Sequence, residues 1–158
     1  TKGLEHRLGG LEKEDITGNV SYDPENHEKM VGIRAEKINR IADIIPNQEI
    51  FGKEEGDLLV VGWGGTHGSL YSGVDNLQKT GKKIALCQFN YINPLPKNTA
   101  EIFSKYKKIV VCELNSGQFA NYLRMNFQGT IFHQYNKIQG FPFTTSELES
   151  HFKTLLSK

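Results

Sequence analysis

Two short stretches hold the residue types from which a binding or catalytic site is built. The first is Gly62-Trp-Gly-Gly-Thr-His-Gly68, between the apolar run Leu58 to Val61 and the helically spaced Leu70, Val74 and Leu77. A buried strand, a glycine turn and a helix start offer backbone N–H groups, here those of Thr66, His67 and Gly68, to an anion. The second is Glu113-Leu-Asn-Ser-Gly-Gln118, after another apolar run. Glu113 is expected at a strand's carboxyl end, where α/β proteins place function. Gly64, Gly65, Thr66, His67, Glu113, Asn115 and Ser116 are therefore the candidate lining of an anion- or nucleotide-binding crevice. Each also has a plainer reading. Strand-to-helix turns need glycine in any α/β fold, Asn115 can cap the next helix, and Glu113 can bond loop N–H groups or a cation.

The chemistry such a crevice lacks is as informative. No Gly-Lys-Ser/Thr closes the glycine turn, so it is not a Walker A loop. A dinucleotide fingerprint needs an acid after the next strand, and the chain has Gln88, Phe89 and Asn90 there. His67 could act as an acid or base, but no Ser or Cys nucleophile with an orienting third group accompanies it. His6, His27, His133 and His151 share no ligand spacing. Cys87 and Cys112 are too few for a zinc or iron–sulfur site and read as buried thiols in a reducing compartment. No catalytic, cofactor-binding or metal-binding residue is assigned. A stand-alone transferase would need a nucleophile that is not found.

These stretches sit in 158 residues, 37% hydrophobic and 23% charged, with 19 basic and 18 acidic residues and a net charge of +1. That composition is globular and gives no bulk attraction to nucleic acid or anionic membranes. The apolar runs are too short to span a bilayer, and no signal peptide is visible, so a cytoplasmic location is expected. A first residue of Thr1 reads as a processed product or a fragment.

The elements around the candidate site follow from periodicity. Residues 1–23, with Gly3, Gly9, Gly10 and Gly18, read as a linker or arm. Its Leu4, Leu8, Leu11, Ile16, Val20 and Tyr22 suggest contact with another surface. Asp23-Pro24 opens a connecting helix over 24–46, with a stripe of Val31, Ala35, Ile38, Ala42 and Ile45 that suits packing on the main body. Residues 47–158 alternate strands and helices. Strands are expected at Leu58–Gly62, Lys83–Phe89, Lys108–Cys112 and Thr130–Tyr135, with a short edge at Gln48–Phe51. Helices are expected over about Thr66–Thr80, from Asn98 to Tyr106, behind Asn115 and Gln118, and behind Thr144 and Glu147. The fold class is a three-layer α/β/α domain with a mostly parallel sheet of about five strands. The Gly140-Phe-Pro-Phe143 loop either forms an interface or folds over the core.

Four phrases together resemble one family: Gly62-Trp-Gly-Gly-Thr-His-Gly68, Tyr91-Ile-Asn-Pro-Leu-Pro96, Glu113-Leu-Asn-Ser-Gly-Gln118 and Gly140-Phe-Pro-Phe-Thr144. Their order and spacing look like the C-terminal region of the alpha subunit of 2-oxoacid:ferredoxin oxidoreductases, the 2-oxoglutarate branch most of all. Gly3-Leu-Glu-His6, Gly18 and Asp23-Pro24-Glu-Asn26 resemble that subunit's connecting segment. The resemblance implies a transketolase C-terminal-like fold, with 48–51 antiparallel beside 83–89, then 57–62, 107–112 and 130–135. It implies a parent complex that decarboxylates a 2-oxoacid onto coenzyme A with thiamine diphosphate, magnesium and an iron–sulfur cluster. The partners implied are the N-terminal domain of the same subunit, the beta subunit, and ferredoxin through the complex. None of the family's thiamine-contacting motifs can be placed on this sequence. Asn90 stands where an arginine is expected, and Gly64-Gly65 where Gly-Ser is usual. The implied role is an accessory assembly domain, with an anion- or nucleotide-binding module as the alternative.

Overall fold

Alternating side chains of the central strands point to opposite faces, and each face is covered by its own pair of helices. The computed structural model describes residues 1–5 and 9–157. His6 of the connecting-segment phrase and Leu8 of the arm lie outside the described residues. The chain divides into two units, Thr1–Ile45 and Pro46–Lys158.

The first unit contains α1 (Pro24–Asn39), and the second contains β1 (Gly56–Trp63), α2 (His67–Lys79), β2 (Ile84–Phe89), α3 (Thr99–Ser104), β3 (Tyr106–Glu113), α4 (Gln118–Asn126), β4 (Phe132–Asn136) and α5 (Thr145–Ser157). All strand pairs are parallel, in the order β2-β1-β3-β4. Leu59, Val61, Ile109 and Val111 face one core layer with Phe103 of α3 and Phe119 and Leu123 of α4. Leu58, Val60, Val110 and Cys112 face the other, with Leu70 and Val74 of α2 and Leu148 and Phe152 of α5. The strands read as continuous apolar runs because both faces are covered. Burial of each such side chain contributes about 1.5–3 kcal/mol. Cys87 and Cys112 are free, buried, and on opposite faces of the sheet. Burial pushes both thiols far up from their usual range.

The sheet has four strands rather than five. The expected edge at 48–51 makes a single antiparallel bridge, Phe51 to Leu86. Upstream, the Asn98 side chain takes the place of a strand partner. Its Oδ1 accepts from the Gln48 amide (2.8 Å) and its Nδ2 donates to the Gln48 carbonyl (3.0 Å). Gly52 then turns away at φ +123°. The same bonds remove Asn98 from the expected capping box, and α3 starts without a side-chain cap. At α5, the Thr144 hydroxyl accepts from the Glu147 amide (3.3 Å) and donates to the Glu147 carboxylate (3.0 Å).

In the first unit, α1 (Pro24–Asn39) starts as the sequence indicates. Asp23 accepts from the Glu25 amide and Pro24 occupies the first turn. A 3-10 turn, Arg40–Asp43, extends it. No residue of α1 is buried. The preceding arm is held by Glu12. Its carboxylate takes both ends of the Arg34 guanidinium (3.0 and 2.9 Å) and Nδ1 of His27 (2.8 Å). The Arg34 hydrogen bonds, then His27, pull the Glu12 carboxyl down to about 2. The Asn26 amide donates to the Lys13 carbonyl, and Lys13 bridges antiparallel to Val20.

On β4 and α5, the His151 ring stacks on Tyr135 at 4.1 Å and 8°. Its Nε2 is buried without a hydrogen-bond partner. Burial, then the nearby His133, lowers its pKa. Folding therefore favours the neutral ring, and unfolding takes up a proton as pH falls through the free-histidine range of about 6.5. Stability from this site is complete above that range and declines below it. Urea midpoints at pH 7.5 and 5.5 are expected to differ more in the wild type than in His151→Phe, which keeps the stack. Equal shifts would contradict this.

Candidate functional site

The carboxyl ends of β1 and β3 lie side by side where the chain reverses its direction of travel across the sheet, the position at which open α/β sheets form a crevice. The two candidate stretches meet there. Gly64, Gly65 and Thr66 line a cavity of about 230 Å³ with Trp63, Leu114 and Asn115. Glu113, one residue before Leu114, is fully buried and is not part of that lining. Ser116 is exposed and outside that lining, and His67 is exposed and faces a different hollow.

Glu113 is occupied by its own fold. Oε1 accepts from the Phe119 amide (2.8 Å) and the Trp63 indole (3.2 Å), and Oε2 accepts from the Ala120 amide (3.0 Å). Asn115 Oδ1 accepts from the amides of Gly117 (2.7 Å) and Gln118 (3.0 Å). Four successive N–H groups at the start of α4 are thus satisfied by two side chains of the preceding loop. These are the groups that would otherwise attract an anion. Gly117, at φ +94°, makes the turn into the helix. A Cβ there would also lie 2.9 Å from the Gln134 side-chain amide.

The start of α2 is different. A 3-10 turn, Gly64–Thr66, leads into it, and neither the turn nor the helix has a side-chain cap. Thr66 is buried and its hydroxyl donates to the Trp63 carbonyl (2.9 Å). Gly62 is required by packing, because a Cβ would overlap Leu70 Cδ1 and crowd Gln88 Oε1 and Thr66 Oγ1. Gly65 and Gly68 would each place a Cβ in open space. A broader hollow of about 700 Å³ runs from His67 and Gly64 past Gln88 and Asn90 to Gln48 and Glu49. No lysine or arginine lines either space.

Sequence reasoning left out Trp63, whose indole joins β1 to Glu113. An aromatic flanked by glycines at a strand end was the available signal. It also left out Gln88, whose Nε2 donates to the Gly64 carbonyl at 3.2 Å. Among the described residues, no group of three or more His, Cys, Asp or Glu could hold a metal ion. Two buried thiols on opposite sheet faces do not fit a cluster, and these two spaces at the strand edge, without a basic residue, do not fit a magnesium-bound diphosphate. No helix is long and apolar enough to cross a membrane among the described residues.

No protein-family model matches the chain. The 2-oxoglutarate oxidoreductase subunit KorA of Mycobacterium tuberculosis is 35% identical over 158 residues, 99% of this chain and 24% of that protein. The 2-oxoacid:ferredoxin oxidoreductase subunit alpha of Saccharolobus solfataricus is 25% identical over 152 residues, 93% of this chain and again 24% of the relative. Among solved structures, the 2-oxoglutarate:ferredoxin oxidoreductase from Magnetococcus marinus, with 2-oxoglutarate, coenzyme A and succinyl-CoA bound, superposes with a TM-score of 0.87 at 28% identity. It covers 99% of this chain and 27% of that one. A split-gene transketolase, at 11% identity and a TM-score of 0.53 over 72% of the chain, shares the fold. The resemblance read from the four phrases holds. The chain matches a region of 2-oxoacid:ferredoxin oxidoreductase alpha subunits along nearly all of its length, and spans about a quarter of the relatives it matches.

Substituting Glu113→Gln replaces one acceptor oxygen by a donor that faces backbone N–H groups. The expected loss is about 2 kcal/mol of stability, read from urea denaturation. A variant as stable as the wild type would contradict the role given to this carboxylate.

Proposed function

We propose that this chain is an accessory, assembly-forming domain of the alpha subunit of a thiamine-diphosphate-dependent 2-oxoacid:ferredoxin oxidoreductase. The parent enzyme would oxidatively decarboxylate a 2-oxoacid, 2-oxoglutarate by the nature of two matched relatives, to its acyl-CoA. The observation that carries the reading is the state of the sheet's carboxyl edge. Glu113, the carboxylate best placed for chemistry, has both oxygens bonded to its own fold. The near-complete match to a region of these subunits supplies the context.

In this reading thiamine diphosphate, magnesium and the iron–sulfur cluster are held elsewhere in a cytoplasmic parent complex. The partners are the N-terminal domain of the same subunit and the beta subunit, with ferredoxin engaged through the assembly. The test uses the 158-residue chain with 2-oxoglutarate, thiamine diphosphate, magnesium, coenzyme A and an electron acceptor. No turnover is expected from the chain, and turnover is expected from the complete alpha–beta complex. Decarboxylation by the isolated chain would overturn the proposal.

One observation favours a second reading, an anion- or nucleotide-binding crevice between Gly62–Gly68 and Glu113–Gln118. The start of α2 is uncapped, and Gly65 and Gly68 answer to no packing need. Their backbone is open to close approach by a ligand or a protein surface. A titration with phosphate and coenzyme A, followed by amide shifts at Gly65 and Thr66, separates the two. Saturable shifts would support the crevice. Their absence, with Gly65→Ala weakening assembly of the complex, would leave this loop an interface.

A further inference from the structure

The arm ends in a strained turn that presents one side chain. Ile16 has φ +71° and is the only non-glycine residue with positive φ among the described residues. Its side chain is 98% exposed. The left-handed region costs an L-residue roughly 1–2 kcal/mol, and a β-branched side chain is least suited to it. Full exposure returns no burial energy to offset that strain. A solvent-facing turn of this shape would be served better by Gly or Asn, and Gly18 and Asn19 stand close by.

The turn is nonetheless firmly built. The Glu14 amide donates to the Asn19 carbonyl (2.8 Å), the Gly18 amide to the Glu14 carbonyl (3.2 Å) and the Thr17 amide to the Asp15 carbonyl (2.8 Å). The Thr17 hydroxyl donates to the Glu14 carboxylate at 2.7 Å. Asp15 pairs with Lys29 at 3.4 Å, and Glu12 clamps the base of the arm to Arg34 and His27. The exposed tip is therefore pre-ordered, which lowers the entropy lost on docking. Its flanking acids already have partners on this unit, so an apolar seat would desolvate little unpaired charge. Tyr22, 85% exposed, adds a second aromatic-apolar surface on the same arm.

We infer that Ile16 is an anchor residue whose left-handed turn presents it to an apolar pocket on the remainder of the parent alpha subunit. The occupant follows from the length of the relatives. The matched region is 24–27% of their chains, so most of each polypeptide lies outside it and is tethered at high effective concentration. A lipid or nucleic-acid partner would call for an excess of basic side chains, and the tip has none in excess. The inference rests on the assembly reading above and adds the contact residue.

Ile16→Asn tests it, since Asn tolerates the left-handed region and removes the apolar group. In the 158-residue chain, the melting temperature of Ile16→Asn is expected to equal or exceed that of the wild type. In the complete alpha–beta complex, hydrogen exchange of residues 13–20 is expected to slow at least tenfold relative to the isolated chain, and Ile16→Asn is expected to abolish that slowing. Unchanged exchange on assembly, or a lower melting temperature for Ile16→Asn in the chain alone, would overturn the inference. Self-association of the isolated chain that Ile16→Asn abolishes would replace the occupant with a second copy. A complex that forms without this chain would instead remove the assembly reading itself.

Discussion

The buried carboxylate of Glu113 is the constraint around which the carboxyl edge of the sheet is arranged. A carboxylate fully removed from water costs several kcal/mol unless its oxygens are satisfied. Here three donors satisfy it, and they come from two parts of the fold: the indole at the end of β1 and two amides in the first turn of α4. One side chain thus ties the start of α4 to the end of β3 and holds the Trp63 indole. With Asn115 it also neutralises the positive end of α4. A fold that usually offers its strand ends to ligands has used this one internally.

The rest of the α/β unit is consistent with that arrangement. The central strands β1 and β3 are apolar on both faces, so helices must cover both, and the buried Glu113 lies at the carboxyl end of β3. Gly62 allows α2 to lie close over the end of β1. Phe143 is buried against Tyr135 whereas Phe141, two residues earlier, is 70% exposed. The reading in which the loop folds over the core thus holds for Phe143, whereas Phe141 faces outward.

Much of the fold was legible because it follows from local periodicity. Leu70, Val74 and Leu77 are all buried, as their helical spacing indicates, and the apolar runs ending at Gly62, Phe89 and Cys112 are β1, β2 and β3. The strand order came from the family resemblance rather than from any spacing. What could not be read were side chains that act across long separations. Asn98 resembles a helix cap in sequence, yet it pairs with Gln48, fifty residues away, and so displaces the fifth strand. Glu12 and Arg34 lie 22 residues apart, and nothing local marks them as the clamp that orders the arm. At the candidate site, the strand-end position of Glu113 was visible but its partners were not. Residue type and position suggested a ligand group, and only the placed amides of Phe119 and Ala120 decide between ligand and cap.

Native-state hydrogen exchange of the Phe119 and Ala120 amides tests the central claim most directly, that this carboxylate belongs to the architecture rather than to a ligand site. If Glu113 holds these amides as part of the core, they exchange only through global unfolding, with the same opening free energy as Val60 and Val111 in the central strands. Exchange through a local opening of much lower free energy, slowed by adding phosphate or coenzyme A, would mean that the start of α4 is a ligand site after all.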